Sequence, residues 1–128
     1  MTPTFRRAAI AASSLCLALA ALWMGAPQFM LWVWQIDGSQ STLLMARRGA
    51  ALFLGLAVML WLMRDAENSP ARSALATGFS VCCAALAALG IYEFMAGHAG
   101  LGIWMAVAVE LMLALTFAAV RHADRPAQ

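Results

Sequence analysis

Glu110 is the residue best placed for chemistry, because it is the only charged group in the apolar run 101–120. As a helix, that run is long enough to cross a hydrocarbon core of about 30 Å, and Glu110 falls near its middle. A lone charge at that depth costs about 2.5–3.5 kcal/mol on insertion scales. The carboxyl therefore suits one of three roles: a structural partner of an arginine or hydroxyl, a proton-coupled or cation-binding group in transport, or a general base in an enzyme.

Two arginines and a second glutamate are candidate partners for this carboxyl. Arg47 and Arg48 lie within the second apolar stretch, and Glu93 lies near the same membrane boundary at the end of the third. At about 1.5 Å per residue, the two arginines fall between the two carboxylates in depth. Arginine tolerates such a position by reaching toward the interface or by pairing with an acid. We therefore predict a buried polar cluster of Arg47 or Arg48 with Glu93 and Glu110.

The cysteines and histidines give no metal-binding or catalytic pattern. Cys82 and Cys83 are adjacent, so on a helix they point about 100° apart and cannot easily complete one metal site. His98 and His122 fall at opposite ends of the apolar stretches. No HExxH or GxSxG motif is present. We predict no metal, no cofactor and no enzymatic activity, and we interpret the cysteines as small packing residues.

The composition is typical of a membrane protein. Hydrophobic residues make up 64% and charged residues 11% of the chain, whereas soluble domains have about 45–50% and about 25%. The sequence has no basic run suited to a nucleic-acid backbone and no Gly-rich phosphate loop. The lipid bilayer is the predicted partner, and nucleic acid is excluded.

Four apolar stretches predict an all-α, integral membrane four-helix transmembrane bundle that forms a single domain over residues 1–128. The helices are predicted at about 7–26, 43–64, 70–95 and 101–121. Ser41 or Thr42 would cap the second helix, and Ser69 with Pro70 would begin the third. The alternative for the first stretch is a cleaved signal peptide. Its nineteen apolar residues exceed the usual core of about 7–15, so we predict a retained helix.

Tryptophans mark the predicted membrane boundaries, where their amphipathic rings lie among lipid headgroups. The connection 27–41 is rich in aromatic and apolar residues, and we predict that it lies along the membrane surface as a short amphipathic turn or helix. The predicted interface anchors are Trp23, Trp32, Trp34, Trp61 and Trp104.

Connection lengths and small residues predict how the helices pack. Short links predict that the second and third helices, and the third and fourth, are antiparallel neighbours. Small residues at spacings of three, four or seven predict the packed faces of membrane helices. The three predicted faces are Arg48, Ala51 and Gly55; Ala74, Gly78 and Cys82; and Ala106, Glu110, Ala114 and Ala118.

The arginines predict the orientation, because cytoplasmic loops are enriched in positive charge. Six arginines fall at the N-terminal end, in the turn between the second and third helices, and in the C-terminal tail, whereas only Arg47 and Arg48 fall on the opposite side. We predict a multi-pass protein of a bacterial inner membrane with both termini in the cytoplasm.

The stretch ARRGAALFLGLAVMLWLMRD, followed by a short polar turn and a third helix, resembles the middle region of the DoxX-like group of small four-helix bacterial membrane proteins. The resemblance covers about residues 43–120. It implies a fold rather than a reaction.

Three functional hypotheses remain open. The first is a non-enzymatic accessory, scaffold or assembly subunit that packs against a larger membrane protein or a second copy of itself. The alternative is an oligomeric small-solute or proton-coupled transporter that uses the buried Glu/Arg cluster. A membrane enzyme or quinone-linked redox partner is the third. The absence of catalytic motifs favours the first two.

Overall fold

The computed structural model describes the backbone of residues 3–124 and the side chains of residues 5–124. Every regular element in that range is an α-helix. In chain order the helices are α1 (Pro3–Gly25), α2 (Pro27–Trp34), α3 (Gln40–Met63), α4 (Pro70–Met95) and α5 (Ile103–Ala123). All except α2 are long and apolar enough to cross a membrane. The predicted all-α bundle of four membrane-spanning helices is confirmed.

The helix boundaries follow from capping residues, and one cap differs from the prediction. Ser39, and not Ser41 or Thr42, caps α3, because the Thr42 amide donates to the Ser39 hydroxyl over 3.2 Å. The helix therefore begins at Gln40 instead of residue 43. The predicted start of α4 is confirmed, since Ser69 caps it and Pro70 occupies its first turn.

Two other helices differ from their predicted ranges. α1 begins at Pro3 instead of residue 7, and α5 covers Ile103–Ala123 instead of 101–121. The connection 27–41 contains a helix of 8 residues, α2, which was one of its two predicted conformations.

The four long helices form two closely packed pairs, α1 with α3 and α4 with α5. A hydrogen bond crosses each pair: the Ser13 hydroxyl donates to the Ala57 carbonyl over 2.7 Å, and the Ser80 hydroxyl donates to the Ala114 carbonyl over 2.7 Å. The prediction that α4 and α5 are neighbours is confirmed. The prediction that α3 packs along α4 is wrong, because α3 packs along α1 and only a short turn links it to α4.

Ion pairs show which helix ends lie together. Arg6 Nε is 2.7 Å from Asp65 Oδ1, which joins the start of α1 to the turn after α3. Arg72 pairs with Asp124, which joins the start of α4 to the end of α5. Both pairs are therefore antiparallel. We call this end of the bundle the basic end.

The opposite end, which we call the α2 end, is closed by α2 and the connection 96–102. The Gly100 amide donates to the Trp34 carbonyl over 2.7 Å. Gly102 lies against the Val33 carbonyl oxygen, so closely that a Cβ atom at this position would overlap it. The last turn of α2 is thereby held against the loop that precedes α5.

The two helix pairs meet near the basic end and separate toward the α2 end. Near the basic end, one core draws buried residues from all four long helices: Phe5, Ala9, Ala12, Cys16, Ala57, Leu60, Ala76, Phe79, Cys83, Ala114, Phe117 and Val120. Toward the α2 end the two pairs have separate buried residues: Trp23, Leu31, Leu43 and Ala50 form a cluster of α1, α2 and α3, whereas Gly90 of α4 packs against Ile103 and Val107 of α5. A space is therefore left between the pairs on the α2 side of the shared core.

The small-residue faces predicted for α3 and α4 do not form the packed surfaces. Ala51 and Gly55 of α3 are exposed, as are Ala74 and Gly78 of α4. The buried positions of α4 follow a different face: Ala76, Phe79, Cys83, Ala87 and Gly90. On α5, Ala114 is buried but Ala118 is exposed, so that prediction holds only over part of the helix.

Candidate functional site

A cavity of about 530 Å³ occupies the space between the two helix pairs. The core shared by the four long helices lies on its basic side, and α2 lies over its other end. Three exposed residues of the lining, Leu22, Phe29 and Met105, place its partial opening where α1, α2 and α5 border it. All five helices line it, and the lining is almost wholly apolar: Leu15, Cys16, Leu19, Leu22, Trp23, Phe29, Met30, Val33, Trp34, Ala46, Gly49, Phe53, Leu56, Phe79, Cys82, Cys83, Leu86, Met105, Ala106, Val109, Glu110 and Leu113.

Among residues 5–124, Glu110 is the one charged residue in the cavity lining. Its side chain is half-buried on the inner side of α5. It lies seven residues into α5, which at 1.5 Å per residue is about 10 Å from the α2 end of that helix. Within residues 5–124, no hydrogen bond or ion pair to this carboxyl is present. The apolar walls therefore contain one polar group that is available to a bound molecule.

The predicted cluster of Glu110 with Glu93, Arg47 and Arg48 does not form within this chain. Arg47 and Arg48 are both exposed on α3. The cavity side of that helix is formed instead by Ala46, Gly49 and Phe53. The prediction is wrong because it placed Arg48 on a packed face with Ala51 and Gly55, whereas that face of α3 is exposed.

Glu93 has a different partner from the predicted arginines. Its Oε2 lies 2.7 Å from His98 Nδ1. The pair links the last turn of α4 to the loop that follows it, at the α2 end and outside the cavity lining. Glu93 and Glu110 therefore occupy separate environments.

Aromatic rings form the wall of the cavity at the α2 end. Trp23 of α1 and Trp34 of α2 meet edge to face, with ring centroids 4.9 Å apart, and Phe29 lines the same space. Trp23 is only 7% exposed. Two of the five predicted interface anchors, Trp23 and Trp34, thus line the cavity, because the end of α1 and the end of α2 fold onto each other.

The other three tryptophans lie on the outer surface, where the anchor hypothesis places them. Trp32, Trp61 and Trp104 are 73%, 47% and 40% exposed. Arg64 lies over the Trp61 ring, with its guanidinium carbon 4.1 Å from the ring centroid. Their role as lipid anchors stays a prediction.

The three cysteines all line the cavity, one from α1 and two from α4. Cys16 and Cys83 are buried, whereas Cys82 is half-buried. Among residues 5–124, no group of three histidine, cysteine, aspartate or glutamate side chains is arranged to hold a metal ion. The three thiols form part of the cavity wall.

Arg72 is a buried charged residue that was not among the residues predicted to be buried or functional. Its side chain is 1% exposed, and its guanidinium carbon lies 4.3 Å from the centroid of the Phe5 ring. It donates to the Ala66 carbonyl over 3.0 Å and pairs with Asp124. The available signal was position: Arg72 follows the helix-starting Pro70, and Asp124 follows the last apolar residues of α5.

The chain matches no protein-family model, no curated protein and no solved structure. The resemblance to DoxX-like proteins stays a prediction.

Proposed function

We propose that the chain is a non-enzymatic, multi-pass membrane protein that binds an apolar small molecule in the cavity between its helix pairs. The observation that supports this function best is the cavity itself. Its volume of about 530 Å³ lies within the range of about 300–1,000 Å³ that is usual for small-molecule sites. Apolar walls with one polar group are also the usual composition of such sites.

The position of the opening supports a ligand that comes from the bilayer. The exposed lining residues Leu22, Phe29 and Met105 belong to α1, α2 and α5, so in a bilayer an opening between these helices would face lipid. A molecule that dissolves in lipid can reach such an opening without crossing water. This proposal differs from the transporter hypothesis of the sequence analysis, which required a buried Glu/Arg cluster.

The proposed location is a bacterial inner membrane with both termini in the cytoplasm. In the described range, the basic end carries Arg6, Arg7, Arg64, Arg72 and Arg121, whereas the other half of the bundle carries only Arg47 and Arg48. Arg125, which was counted in the prediction, lies outside the described residues. The positive-inside rule supports a cytoplasmic basic end. A fluorescent protein fused to the C-terminus should fluoresce, and an alkaline phosphatase fused there should be inactive.

A photoreactive ligand tests the proposed function directly. Benzophenone is neutral and apolar, and its excited state inserts into nearby C–H bonds. Met30 lines the cavity, whereas Met59 is exposed on the outer surface of α3. In liposomes, labelling near Met30 should saturate and be displaced by unlabelled diphenylmethane, whereas labelling near Met59 should rise in proportion to the probe.

Two glycines of α3 provide matched variants for this experiment. Gly49 lines the cavity, Gly55 is exposed on the outer surface, and neither has an atom within 4 Å of a built Cβ. Gly49→Leu should therefore occupy part of the cavity and weaken the saturable labelling, whereas Gly55→Leu should leave it unchanged. Equal saturable labelling in both variants, or none in the unmodified protein, would contradict the proposed function.

The accessory-subunit hypothesis is the second candidate, and the exposed arginines favour it. Arg47 and Arg48 lie seven and eight residues into α3, about 10–12 Å from its start. Within residues 5–124, neither makes an ion pair. An acidic side chain of a second protein, at the same depth, would complement them. Co-purification of a stoichiometric partner that Arg47→Ala with Arg48→Ala abolishes would support this function.

A further inference from the structure

The lone carboxyl in the cavity narrows the class of molecule that the cavity binds. We propose that the ligand is an amphiphilic organic cation, which binds with its positively charged nitrogen at Glu110 and its apolar body beneath α2. This inference rests on the proposed binding function and adds the charge of the ligand and its orientation.

The carboxyl of Glu110 lies apart from the protein's own cations. Arg47 and Arg48 face outward on α3, and Arg72 lies at the basic end, where it is paired with Asp124. In the part of the chain whose side chains are described, no arginine or histidine lines the cavity. A carboxylate in an apolar site attracts a positive charge strongly, because little water is present to screen it. A cationic ligand would supply that charge.

The shape and polarity of the other cavity walls indicate an apolar or aromatic body for the ligand. Gly100 bonds to Trp34, so the aromatic wall formed by Trp23 and Trp34 lies level with the loop before α5. Glu110 lies seven residues farther along than Ile103, which places it about 10 Å from that level. The carboxyl thus lies about 10 Å from the aromatic wall formed by Trp23 and Trp34. A molecule with a cationic group and an apolar or aromatic body matches that arrangement.

The composition of the walls favours an organic cation over a metal ion. Calcium and magnesium require about six or more oxygen ligands, and in the described part of the chain no group of three potential ligand side chains converges. Alkyl groups around an ammonium nitrogen, by contrast, suit the leucine, valine and phenylalanine side chains that line the cavity together with Glu110. The lining therefore complements the whole organic cation and not only its charge.

A pair of isosteric photoprobes tests the inference. The cationic probe is (4-benzoylbenzyl)trimethylammonium, and the neutral probe is 4-neopentylbenzophenone, in which carbon replaces the quaternary nitrogen. Both have the same shape, and the ammonium charge does not depend on pH. Saturable labelling near Met30 is measured in liposomes for each probe, and its affinity is referred to the concentration of that probe in the membrane.

We expect the cationic probe to bind about tenfold to a hundredfold more tightly than its neutral isostere. The quaternary ammonium has no N–H to donate, so its preference comes from the attraction of opposite charges in a site that holds little water. Glu110→Gln, which has the same shape, should remove that preference and leave binding of the neutral probe intact. Glu93→Gln is the matched control, because Glu93 pairs with His98 outside the cavity lining. It should retain the preference of the unmodified protein.

The outcomes separate this inference from the proposed function. Saturable labelling by both probes with equal affinity would overturn the cation inference and support a neutral apolar ligand. The comparison in the unmodified protein needs no variant, so it decides the question even if Glu110→Gln folds poorly. A preference that persists in well-folded Glu110→Gln would also overturn the inference. Absence of saturable labelling near Met30 by either probe would contradict the proposed function itself.

Discussion

Arg72 and Asp124 form an ion pair that joins the first turn of α4 to the residue that follows α5. The two side chains are 1% and 10% exposed, so the pair is nearly closed off from solvent. Asn68 also donates to the Asp124 carbonyl oxygen over 2.7 Å. The basic ends of α4 and α5 are thus held together by charge as well as by packing, next to the core that all four long helices share.

Loss of one partner of this pair should destabilise the fold strongly. Arg72→Met retains most of the side-chain volume but leaves the Asp124 carboxylate without its cation. Breaking a buried ion pair in this way costs about 3–5 kcal/mol. We therefore expect a large fall in the unfolding temperature in detergent, measured by circular dichroism.

Arg6→Gln is the control for this prediction. Its pair with Asp65 joins the same end of the bundle, but both side chains are 48% exposed. Exposed ion pairs contribute about 0–1 kcal/mol. Similar losses of stability in Arg72→Met and Arg6→Gln would contradict the prediction that the buried pair stabilises the fold more than the exposed pair does.

Gly102→Ala should weaken the contact that closes the α2 end of the cavity. The new methyl group would overlap the Val33 carbonyl oxygen, which belongs to the backbone and cannot turn aside. Overpacking of this kind costs about 1–3 kcal/mol. The expected result is lower thermal stability together with faster labelling of Cys82 by N-ethylmaleimide, because the cavity would be less well covered.

Gly55→Ala should have the opposite effect on stability. No atom lies within 4 Å of a Cβ built at this exposed position of α3. Alanine is favoured over glycine in a helix by about 0.5–1 kcal/mol. A shift of the same sign in both variants would contradict the predicted role of Gly102.

Ser13→Ala should loosen the pair formed by α1 and α3. The Ser13 hydroxyl is buried and donates to the Ala57 carbonyl on the neighbouring helix over 2.7 Å. Hydrogen bonds between membrane helices contribute about 0.6 kcal/mol on average and at most about 1.7 kcal/mol. We expect a loss of stability within that range in denaturant titrations.

Thr116→Val provides the comparison for Ser13, since the Thr116 hydroxyl bonds to Met112 of its own helix. Removal of that bond does not separate two helices, so a change within about 0.5 kcal/mol is expected. Equal losses in Ser13→Ala and Thr116→Val would show that the Ser13 contact does not join the helices.

The four spans could be predicted from the sequence because a run of about 20 apolar residues is typical of a transmembrane helix. The start of α4 was also predictable, since Ser69 and Pro70 together specify a helix beginning through local contacts alone. The position of Glu110 along α5 followed from the same counting. Each of these features depends only on the order of residues along one helix and not on how that helix packs against other helices.

Helix rotation and pairing could not be predicted in the same way. A helix that lies in lipid is apolar on every side, so the amphipathic pattern that marks the core face of a soluble helix is weak. Ala51 and Gly55 therefore looked like packing residues but are exposed. Arg47 and Arg48 have the depth expected for partners of Glu110, but α3 turns them away. The cavity depends on the distance between the two helix pairs, and no local sequence pattern predicts that distance.

The exposed arginines give a direct test of that rotation. Because Arg47 and Arg48 make no ion pair within residues 5–124, replacing both with alanine should change the stability of the isolated protein by only about 0.5 kcal/mol per site. A buried cluster with Glu93 and Glu110 would predict a loss of about 3–5 kcal/mol instead. Thermal unfolding of the double variant in detergent, beside Arg72→Met, distinguishes the two arrangements. A loss as large as that of Arg72→Met would mean that α3 turns its arginines toward the acids after all.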